Sequence, residues 1–356
     1  MNILIVDDSV VFRGAIRAAL DGVNKLNIVG VANNGRAAIE FLKNNAVDLI
    51  TLDMEMPEMD GLQTIREIRA LKLKVRILVF SGHTTAGSQM ALEALNLGAD
   101  DFVCKPQGDS GQSGNVIELI HNELIPKISQ FDAGIQSFKD KDNVTSSIDL
   151  KKLETKSQII PRDINTFLPN IILIGSSTGG PPALETVLSG INQPLRIPIL
   201  ITQHMPPVFT DSLAKRLAKL TGIDCAEAKH GEIIKSNKIY VAPGNYHLKL
   251  EQVGKNVLVS LDQSAQRNSV RPAVDVMFES AAKIYTSRAL GIVLTGMGED
   301  GLAGCYEIKK NAGGVMIQDK ESCVVFGMPG AVYNKGIYDK IADLVEINNQ
   351  IKRMTN

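Results

Sequence analysis

The chain has 356 residues, of which 44% are apolar and 22% are charged, so we expect a globular protein of about two domains rather than one ordinary core. Its 38 basic and 39 acidic residues nearly cancel, which argues against a surface for nucleic acid or for an anionic membrane. The four cysteines include no Cys-x-x-Cys pair, and their wide spacing argues against a zinc site or a disulfide framework.

We expect neither a signal peptide nor a membrane-spanning helix. The N-terminal MNILIVDD has no basic segment, and its apolar run ends at two aspartates. No apolar run approaches the roughly 20 residues that cross a bilayer. We therefore expect a cytoplasmic protein that neither inserts into a membrane nor binds nucleic acid.

Short apolar runs alternate with helix-compatible segments over residues 1–125. This alternation is typical of a parallel α/β domain, and it predicts a flavodoxin-like (βα)5 fold. The predicted strands cover residues 3–6, 27–32, 49–52, 77–80 and 101–103.

The apolar periodicity weakens over residues 126–168, where Lys, Asp and Ser are mixed with few branched residues, and we interpret this segment as a linker. Over residues 169–356 the alternation resumes with IILIG, IPILITQ, LGIVLTG and GVMIQD. Between them, KIYVAPGNYHLKLEQVGKNVLVSLD contains Pro-Gly-Asn and Val-Gly-Lys turns, which predict antiparallel strands. We therefore predict a doubly wound, mainly parallel α/β domain with an antiparallel hairpin.

Polar side chains follow four of the strands predicted in the first domain. In chain order they are Asp7 with Asp8, Asp53, Ser81 and Lys105. The carboxyl ends of parallel strands meet at one crevice, so we expect these groups to lie close together. Crowded carboxylates favour a hard divalent ion with oxygen ligands, and Mg²⁺ is the simplest choice. Any one of these aspartates, taken alone, is more simply interpreted as a helix cap.

The stretches LIVDDS, DLITLDMEMPEMDGL, VFSG and DFVCKP resemble the receiver domain of two-component response regulators. The resemblance implies that a carboxylate attacks a phosphoryl donor, and that positioning and charge neutralisation supply most of the catalysis. It also implies a cis bond between Lys105 and Pro106. The roles that it implies are phosphorylation at Asp53, Mg²⁺ binding by Asp7, Asp8, Asp53 and the main-chain carbonyl of Glu55, and phosphoryl contacts from Ser81 and Lys105.

The stretch IGSSTGG leads from a strand into two serines and paired glycines, and three interpretations are open. A phosphate-binding loop would use the glycine amides, although neither G-x-G-x-x-G nor the lysine of G-x-x-x-x-G-K-[ST] is present. A plain helix cap would use a Ser or Thr ahead of Pro181. A nucleophile elbow would use residues 175–179 as G-x-S-x-G, with Ser177 exposed on a sharp turn.

A serine nucleophile needs a histidine base, and the histidine in turn needs a carboxylate. Of the three histidines in the second domain, His204 ends the next predicted strand, whereas His230 and His247 lie in a connection and a hairpin. Asp300 follows LGIVLTG. Taken alone, the histidine could bond a backbone group and the aspartate could cap a helix. One residue of each type at the same end of three parallel strands favours a catalytic triad.

Six stretches of the second domain resemble the catalytic domain of the chemotaxis protein-glutamate methylesterase (CheB) family. They are IGSSTGG, ITQHMPP, VAPGNYH, RPAVDVMF, LTGMGEDG and CVVFGMP, within roughly residues 170–345. The resemblance implies that Ser177, His204 and Asp300 form the triad and that the esterase needs no cofactor. Ser176 stands where the family commonly has alanine, and it is a conceivable substitute for the nucleophile.

The same resemblance implies the reaction and the partners. The chain would hydrolyse glutamate methyl esters, and deamidate particular glutamines, on the cytoplasmic domains of methyl-accepting chemotaxis receptors. Main-chain amides near Thr178 and Met297 are the oxyanion candidates. The histidine kinase of the chemotaxis system would donate the phosphoryl group, and phosphorylation of Asp53 would weaken a block of the catalytic cleft by the receiver.

Two other classes of function compete with the hydrolase. The first is a phosphorylation-controlled binding module, whose glycine loop would hold a nucleotide or a protein without hydrolysis. The second is a DNA-binding output domain, which is disfavoured because no basic recognition helix is apparent. Turnover of a methylated receptor fragment would separate the hydrolase from both.

Overall fold

The computed structural model describes residues 1–106, 113–131, 161–191 and 194–355. The chain divides into two compact units, Met1–Asn143 and Val144–Asn356. Most of the segment interpreted as a linker, residues 132–160, lies outside the described residues. The domain boundaries at residues 125 and 168 therefore stay predictions.

The first unit contains a five-stranded sheet in the order β2-β1-β3-β4-β5, and all of its pairings are parallel. The central strands are almost entirely buried, because helices cover both faces of such a sheet. The predicted flavodoxin-like fold is thereby confirmed. The strands are β1 (Asn2–Val6), β2 (Asn27–Ala32), β3 (Leu49–Asp53), β4 (Arg76–Ser81) and β5 (Asp101–Cys104).

Five helices accompany this sheet in the described part of the unit. They are α1 (Val10–Leu20), α2 (Gly35–Asn44), α3 (Gly61–Ala70), α4 (Thr85–Asn96) and α5 (Ser113–Ser129). Short polar side chains cap the first four helices by accepting a main-chain N–H, namely Ser9, Asn34, Asp60 and Thr84. The aspartates that end β1 and β3 are therefore not needed as helix caps.

The second unit is built on a seven-stranded parallel sheet in the order β14-β13-β12-β6-β7-β9-β8. The winding proceeds away from β6 in both directions, so the switch point of this doubly wound sheet lies at the carboxyl end of β6. The strands of the unit are β6 (Ile171–Ser176), β7 (Ile199–Gln203), β8 (Asp224–Glu227), β9 (Lys238–Val241), β10 (His247–Val253), β11 (Asn256–Asp262), β12 (Ala289–Val293), β13 (Gly314–Gln318) and β14 (Lys340–Ala342).

Strands β10 and β11 form the predicted hairpin, which is antiparallel and turns at Gly254 with a φ of 61°. The prediction for KIYV is wrong in its direction, because as β9 this segment pairs in parallel with β7 and β8. The direction depends on a partner that is distant in sequence, and a short apolar run does not encode it. The edge strands β8 and β14 have only 4 and 3 residues, too few for a sequence pattern.

Helices cover both faces of the large sheet. They are α6 (Gly180–Leu188), α7 (Phe209–Thr221), α8 (Val274–Tyr285), α9 (Leu302–Lys310), α10 (Met328–Lys335) and α11 (Leu344–Thr355). Leu213 and Leu217 of α7 are fully buried, whereas Leu220 is 42% exposed. Helix α8 packs its buried residues Met277 and Phe278 into the core of this unit, and it begins beside the end of β12.

None of the helices in the described residues combines the length and the apolar content of a membrane span.

The only cis peptide bond among the described residues is Arg271–Pro272, so the implied cis bond at Lys105–Pro106 is not found. The trans form is the ordinary state of an X-Pro bond, since it is favoured by about 0.5–1 kcal/mol.

Candidate active site and phosphoacceptor site

The serine loop forms a tight turn between β6 and α6. Ser177 lies directly after β6, and its main-chain carbonyl accepts from Gly180 N at 2.7 Å. Gly179 has a φ of 75°, a conformation that side chains disfavour. The turn therefore places Ser177, which is partly exposed, at the carboxyl edge of the sheet.

The two adjacent serines differ in their surroundings. Ser176 is fully buried, and its hydroxyl donates to Gln203 Oε1 at 2.7 Å. Among the described residues, the Ser177 hydroxyl makes no hydrogen bond, although Gln203 Nε2 donates to the Ser177 carbonyl at 2.9 Å. The geometry therefore favours Ser177 over Ser176 as the group that a substrate can reach.

The phosphate-loop interpretation finds little support in the turn. The amide of Ser177 donates to Thr295 O at 3.0 Å, and the amide of Gly180 donates within the turn. A phosphate cradle needs several amides that point at the ligand. At least two of the amides in this loop are instead used by the protein itself.

His204 lies beside the serine turn because of the register between β6 and β7. Ser176 pairs with Gln203, and His204 N donates to Ser176 O at 3.1 Å. On the other side, the Nε2 atom of His204 lies 2.8 Å from Asp300 Oδ2. The second ring nitrogen, Nδ1, is then the one left to act as a base. The structure thus joins His204 to Asp300, and the register of β6 and β7 holds the main chain of His204 against Ser176, the residue before Ser177.

Asp300 is 2% exposed and accepts hydrogen bonds at both oxygens. Oδ2 accepts from His204 Nε2 and from Val274 N at 2.6 Å, and Oδ1 accepts from Asp275 N at 3.1 Å. Burial alone would raise the pKa of Asp300, but the hydrogen bonds from His204 and from the start of α8 outweigh it and lower the pKa below its usual range. Asp300 is therefore held as a carboxylate.

Two residues that the sequence did not single out touch this carboxylate. Asn268 donates from Nδ2 to Asp300 Oδ1 at 2.9 Å, and Asp275 lies buried at the same helix start. Asp275 falls within RPAVDVMF, a stretch for which no catalytic role was predicted. Asn268 stands in QRNSV, which contains no recognisable signal.

The other two histidines of this unit serve main-chain groups. His247 is 1% exposed, with Nε2 3.1 Å from Ala265 O and with Nδ1 accepting from Ala273 N at 3.2 Å. His230 Nδ1 accepts from Leu261 N at 3.1 Å. None of these hydrogen bonds joins His230 or His247 to the serine turn.

The oxyanion candidates lie on the two loops beside Ser177. Thr178 is buried, with its carbonyl accepting from Thr295 Oγ1 at 3.0 Å, whereas Met297 is 40% exposed. The loops touch closely at Gly296, where an added Cβ would lie only 2.8 Å from Ser177 Cβ. Glycine is therefore required for this approach.

The acidic residues of the first unit do lie together, as their positions at strand ends predicted. Lys105 Nζ is 2.8 Å from Asp53 Oδ1 and 3.4 Å from Asp7 Oδ2. Burial, followed by repulsion from Asp53, raises the pKa of Asp7 to about 6, although Lys105 partly offsets this. The two buried carboxylates therefore carry more negative charge than one lysine neutralises.

This charge suits a divalent cation. One carboxylate oxygen each from Asp7, Asp8 and Asp53 lie within 4.8 Å of one another. The buried Oδ2 of Asp7 has the ion-pair contact with Lys105 at 3.4 Å but accepts no well-aligned hydrogen bond among the described residues. An all-oxygen donor set of this kind fits Mg²⁺, and the exposed side chain of Asp8 leaves the cluster open on one side.

The other two residues implied for the phosphoacceptor site are placed differently. The hydroxyl of Ser81 is buried and donates to Gly87 O at 2.7 Å, so its proton would have to turn to reach a phosphoryl group. Glu55 follows β3, and its amide donates to Asp53 Oδ1 at 3.4 Å. Its side chain is exposed.

Comparison with known families matches a separate family to each unit. The sequence model for the response regulator receiver domain matches residues 3–112, and that for the CheB methylesterase matches residues 172–351. The chain belongs to the CheB methylesterase family. The two matches cover the two units in chain order, so the receiver and the CheB domain are parts of one polypeptide.

Individual relatives of the CheB family extend along nearly the whole chain. The protein-glutamate methylesterase/protein-glutamine glutaminase of Trichodesmium erythraeum is 43% identical, over 99% of this chain and 98% of the relative. A protein of the same description from Thermotoga maritima is 35% identical, over 99% and 97%. The crystal structure of the Thermotoga maritima CheB methylesterase catalytic domain, at 41% identity, covers 52% of this chain and 99% of its own, with a TM-score of 0.51.

Proposed function

We propose that the chain is a phosphorylation-activated hydrolase that removes methyl groups from glutamate γ-methyl esters on methyl-accepting chemotaxis receptors. The observation that carries the proposal is the 2.8 Å contact between His204 and Asp300, with the partly exposed Ser177 after the end of the neighbouring strand β6. Membership of the CheB family supports the ester substrate, because relatives along the whole chain are described as protein-glutamate methylesterases.

In the proposed acylation step, His204 Nδ1 takes the hydroxyl proton of Ser177 while Ser177 Oγ forms a bond to the ester carbonyl carbon. The tetrahedral intermediate collapses when the bond to the methoxy oxygen breaks, and His204 returns the proton so that methanol leaves. Asp300 stays ionised and stabilises the imidazolium. Main-chain amides at Thr178 and Met297 are our proposed donors to the oxyanion.

In the proposed deacylation step, a water molecule replaces the alcohol. His204 Nδ1 takes a proton from the water as its oxygen attacks the acyl carbon, and the bond to Ser177 Oγ breaks with return of that proton. The product is a glutamate carboxylate. The same sequence with a glutamine side chain would release ammonia in place of methanol, so we also propose a glutaminase activity.

The receiver domain supplies the control. We propose that Asp53 is phosphorylated by the histidine kinase of the chemotaxis system, with Ser81 and Lys105 contacting the phosphoryl group. Asp7, Asp8, Asp53 and the carbonyl of Glu55 would hold Mg²⁺, which supplies charge neutralisation for phosphoryl transfer when it is bound. Loss of the free Asp53 carboxylate would change the contacts of Lys105, which is 2.8 Å from it, and shift the receiver towards its active arrangement.

The partners and the location follow from this substrate. The proposed substrates are the cytoplasmic domains of the receptors, so we propose that the chain works in the cytoplasm. The near-neutral composition gives no reason to add nucleic acid to the partners.

The direct test measures methanol release from membranes that contain methylated receptors. We expect Ser177→Ala to lower the rate by about a thousandfold or more, while the variant still accepts a phosphoryl group from a small phosphodonor. Ser176→Ala is the matched control, because it removes a buried hydroxyl from the neighbouring position. A Ser177→Ala protein that releases methanol at the wild-type rate would contradict the proposal.

A further inference from the structure

Two buried carboxylates share one small volume behind His204. Asp300 and Asp275 are 2% and 3% exposed. Asp300 accepts from the first amides of α8, and Asp275 Oδ1 accepts from Gly304 N, in the first turn of α9, at 2.7 Å. Asp300 thus binds the start of α8, the helix that carries Asp275. Asp275 in turn binds the start of α9, the helix that follows Asp300. Two carboxyl groups this deeply buried repel each other when both are ionised, and a donor between them stabilises that state.

Asn268 supplies that donor. Its Nδ2 atom lies 2.9 Å from Asp300 Oδ1 and 3.0 Å from Asp275 Oδ2. A side-chain amide nitrogen carries two hydrogens, which is one for each carboxylate. Asn268 is therefore the side chain that joins the two acids in the described structure.

The loop that carries Asn268 is held in place on both sides. Arg267 and Val270 exchange two main-chain hydrogen bonds, of 3.1 and 3.0 Å. The Arg267 guanidinium pairs with both oxygens of Glu279, at 2.6 and 3.0 Å, and its Nε lies 3.7 Å from Asp275 Oδ2. Asn268 itself has a φ of 53°, which asparagine tolerates better than most residues. The amide is thus delivered by a fixed backbone.

The bond to Asn268 acts on His204 through the geometry of the Asp300 carboxylate. Oδ2 binds His204, while Oδ1 binds Asn268 and the amide of Asp275. Rotation of the carboxylate would break bonds at both oxygens together. The contact at Oδ1 therefore helps to fix the direction in which Oδ2 meets the imidazole.

We propose that Asn268 is a positioning residue for catalysis, which separates Asp275 from Asp300 and fixes Asp300 in the orientation and ionised state that His204 requires. This inference rests on the proposed role of Ser177, His204 and Asp300. Asn268 touches no reacting atom and acts only through Asp300. Removal of its amide leaves the two carboxyl groups without a donor between them, and the orientation of the Asp300–His204 hydrogen bond is then less well fixed.

The test compares two asparagines that share a left-handed backbone. Asn268→Gly keeps the φ of 53° accessible and removes the side chain that carries the amide. Asn245→Gly is the control, since Asn245 has a φ of 66° and accepts from Arg271 at 2.6 Å, outside the network of acids. We expect Asn268→Gly to lower kcat for methanol release by about 10- to 100-fold with little change in KM, as for loss of a hydrogen bond to a charged group. We expect the control to stay within about twofold of the wild type.

A second readout distinguishes positioning from general damage. The charged or titratable groups around Asp300 are His204, Asp275, Arg267 and the buried thiol of Cys305. Loss of a hydrogen bond that favours ionised Asp300 should move the acidic limb of the activity profile to higher pH. Adding Asp275→Asn to Asn268→Gly removes the opposing charge, and it should restore kcat by about fivefold or more.

A failure of the proposed role of Asn268 can be distinguished from a failure of the proposed catalytic function. If Ser177→Ala is inactive but Asn268→Gly matches the wild type in kcat and in its pH profile, only the role of Asn268 is overturned. Equal losses in Asn268→Gly and Asn245→Gly would also overturn it. If Asn268→Gly folds poorly, the nearly isosteric Asn268→Asp replaces it, and we expect a loss of kcat at least as large because a third carboxylate enters the cluster.

Discussion

Asp300 has two roles, as the hydrogen-bond partner of His204 and as the acceptor for the first main-chain amides of α8. Replacing it by asparagine keeps an oxygen for Asp275 N but places an NH2 group where Oδ2 accepts from Val274 N and from His204 Nε2, which favours the wrong tautomer of His204. We expect Asp300→Asn to lower kcat by about 10⁴-fold, as in other triads, and to lower the unfolding free energy by about 1–3 kcal/mol because Val274 N loses its acceptor. Steady-state methanol release and urea unfolding of the same preparation measure the two effects. Near-normal kcat would show that Asp300 does not orient the imidazole.

Asp275 makes the stability of the protein depend on pH. Burial, and then repulsion from Asp300, raises its pKa from 3.8 to about 7. A carboxyl with a raised folded-state pKa stabilises the fold fully below the unfolded pKa, and this contribution is lost as the pH rises towards the folded pKa. The lowered pKa of Asp300 has the opposite sign, but it acts below its ordinary value of 3.8.

We therefore expect Asp275→Asn to lose less stability than the wild type between about pH 5 and about pH 8. The difference should be on the order of 2 kcal/mol, because Arg267 and Asn268 offset part of the repulsion. Urea unfolding at the two pH values measures it. An identical pH dependence in the two proteins would mean that Asp275 is ionised throughout.

At the level of elements, the turn between β6 and α6 depends on Gly179. An alanine there would have a φ of 75°, and its Cβ would meet Val324 Cγ2 at 2.5 Å. We expect Gly179→Ala to lose about 1–2 kcal/mol from the backbone alone, and more from the clash. Methanol release should fall as well, because the turn carries Ser177.

Gly254→Ala in the β10–β11 hairpin is the control for Gly179→Ala. Its φ is 61°, but nothing lies within 4 Å of the added Cβ. This variant should show a similar backbone cost and no change in methanol release. Equal activity losses in the two variants would rule out a specific role for the turn.

The elements that hold both sites could be predicted because they are buried on both faces. Strands such as β6 and β12 read as unbroken apolar runs, and the polar residue at the end of each run stands out. Ser177, His204 and the aspartates of the receiver were predicted in this way. The direction of β9 and the short edge strands were missed, since they depend on partners far away in the chain.

The second layer of the site could not be predicted for a related reason. Asn268 stands in an irregular loop, and its contact with Asp300 joins residues 32 positions apart. No periodicity marks such a residue, because its role depends on the path of the loop rather than on a strand or helix pattern. Asp275 was also indistinguishable from an ordinary acidic residue in the first turn of a helix.

At the scale of the whole molecule, activation and hydrolysis should respond differently to metal removal. The oxygen cluster of Asp7, Asp8 and Asp53 is the one group of metal-binding character found among the described residues, and it belongs to the receiver. We expect EDTA to abolish the stimulation of methanol release by a small phosphodonor. Basal release should stay within about twofold, since a serine hydrolase of this design needs no metal.

Asp53→Asn is the control for the metal experiment. It removes the proposed phosphoacceptor while leaving the catalytic residues untouched. The variant should show basal release that neither the phosphodonor nor EDTA changes. Loss of basal release on adding EDTA to this variant would indicate a metal requirement in the hydrolase itself.

The orientation of the His204 ring has a chemical consequence for inhibitor design. In serine proteases of the chymotrypsin type, the outer nitrogen of the imidazole faces the nucleophile, whereas here that nitrogen is taken by Asp300. An electrophile delivered along the substrate path, such as a haloketone, should then alkylate the inner nitrogen, Nδ1. Peptide mass spectrometry with a π-substituted histidine standard would recognise the adduct, and reagents shaped for the outer nitrogen should label this enzyme poorly.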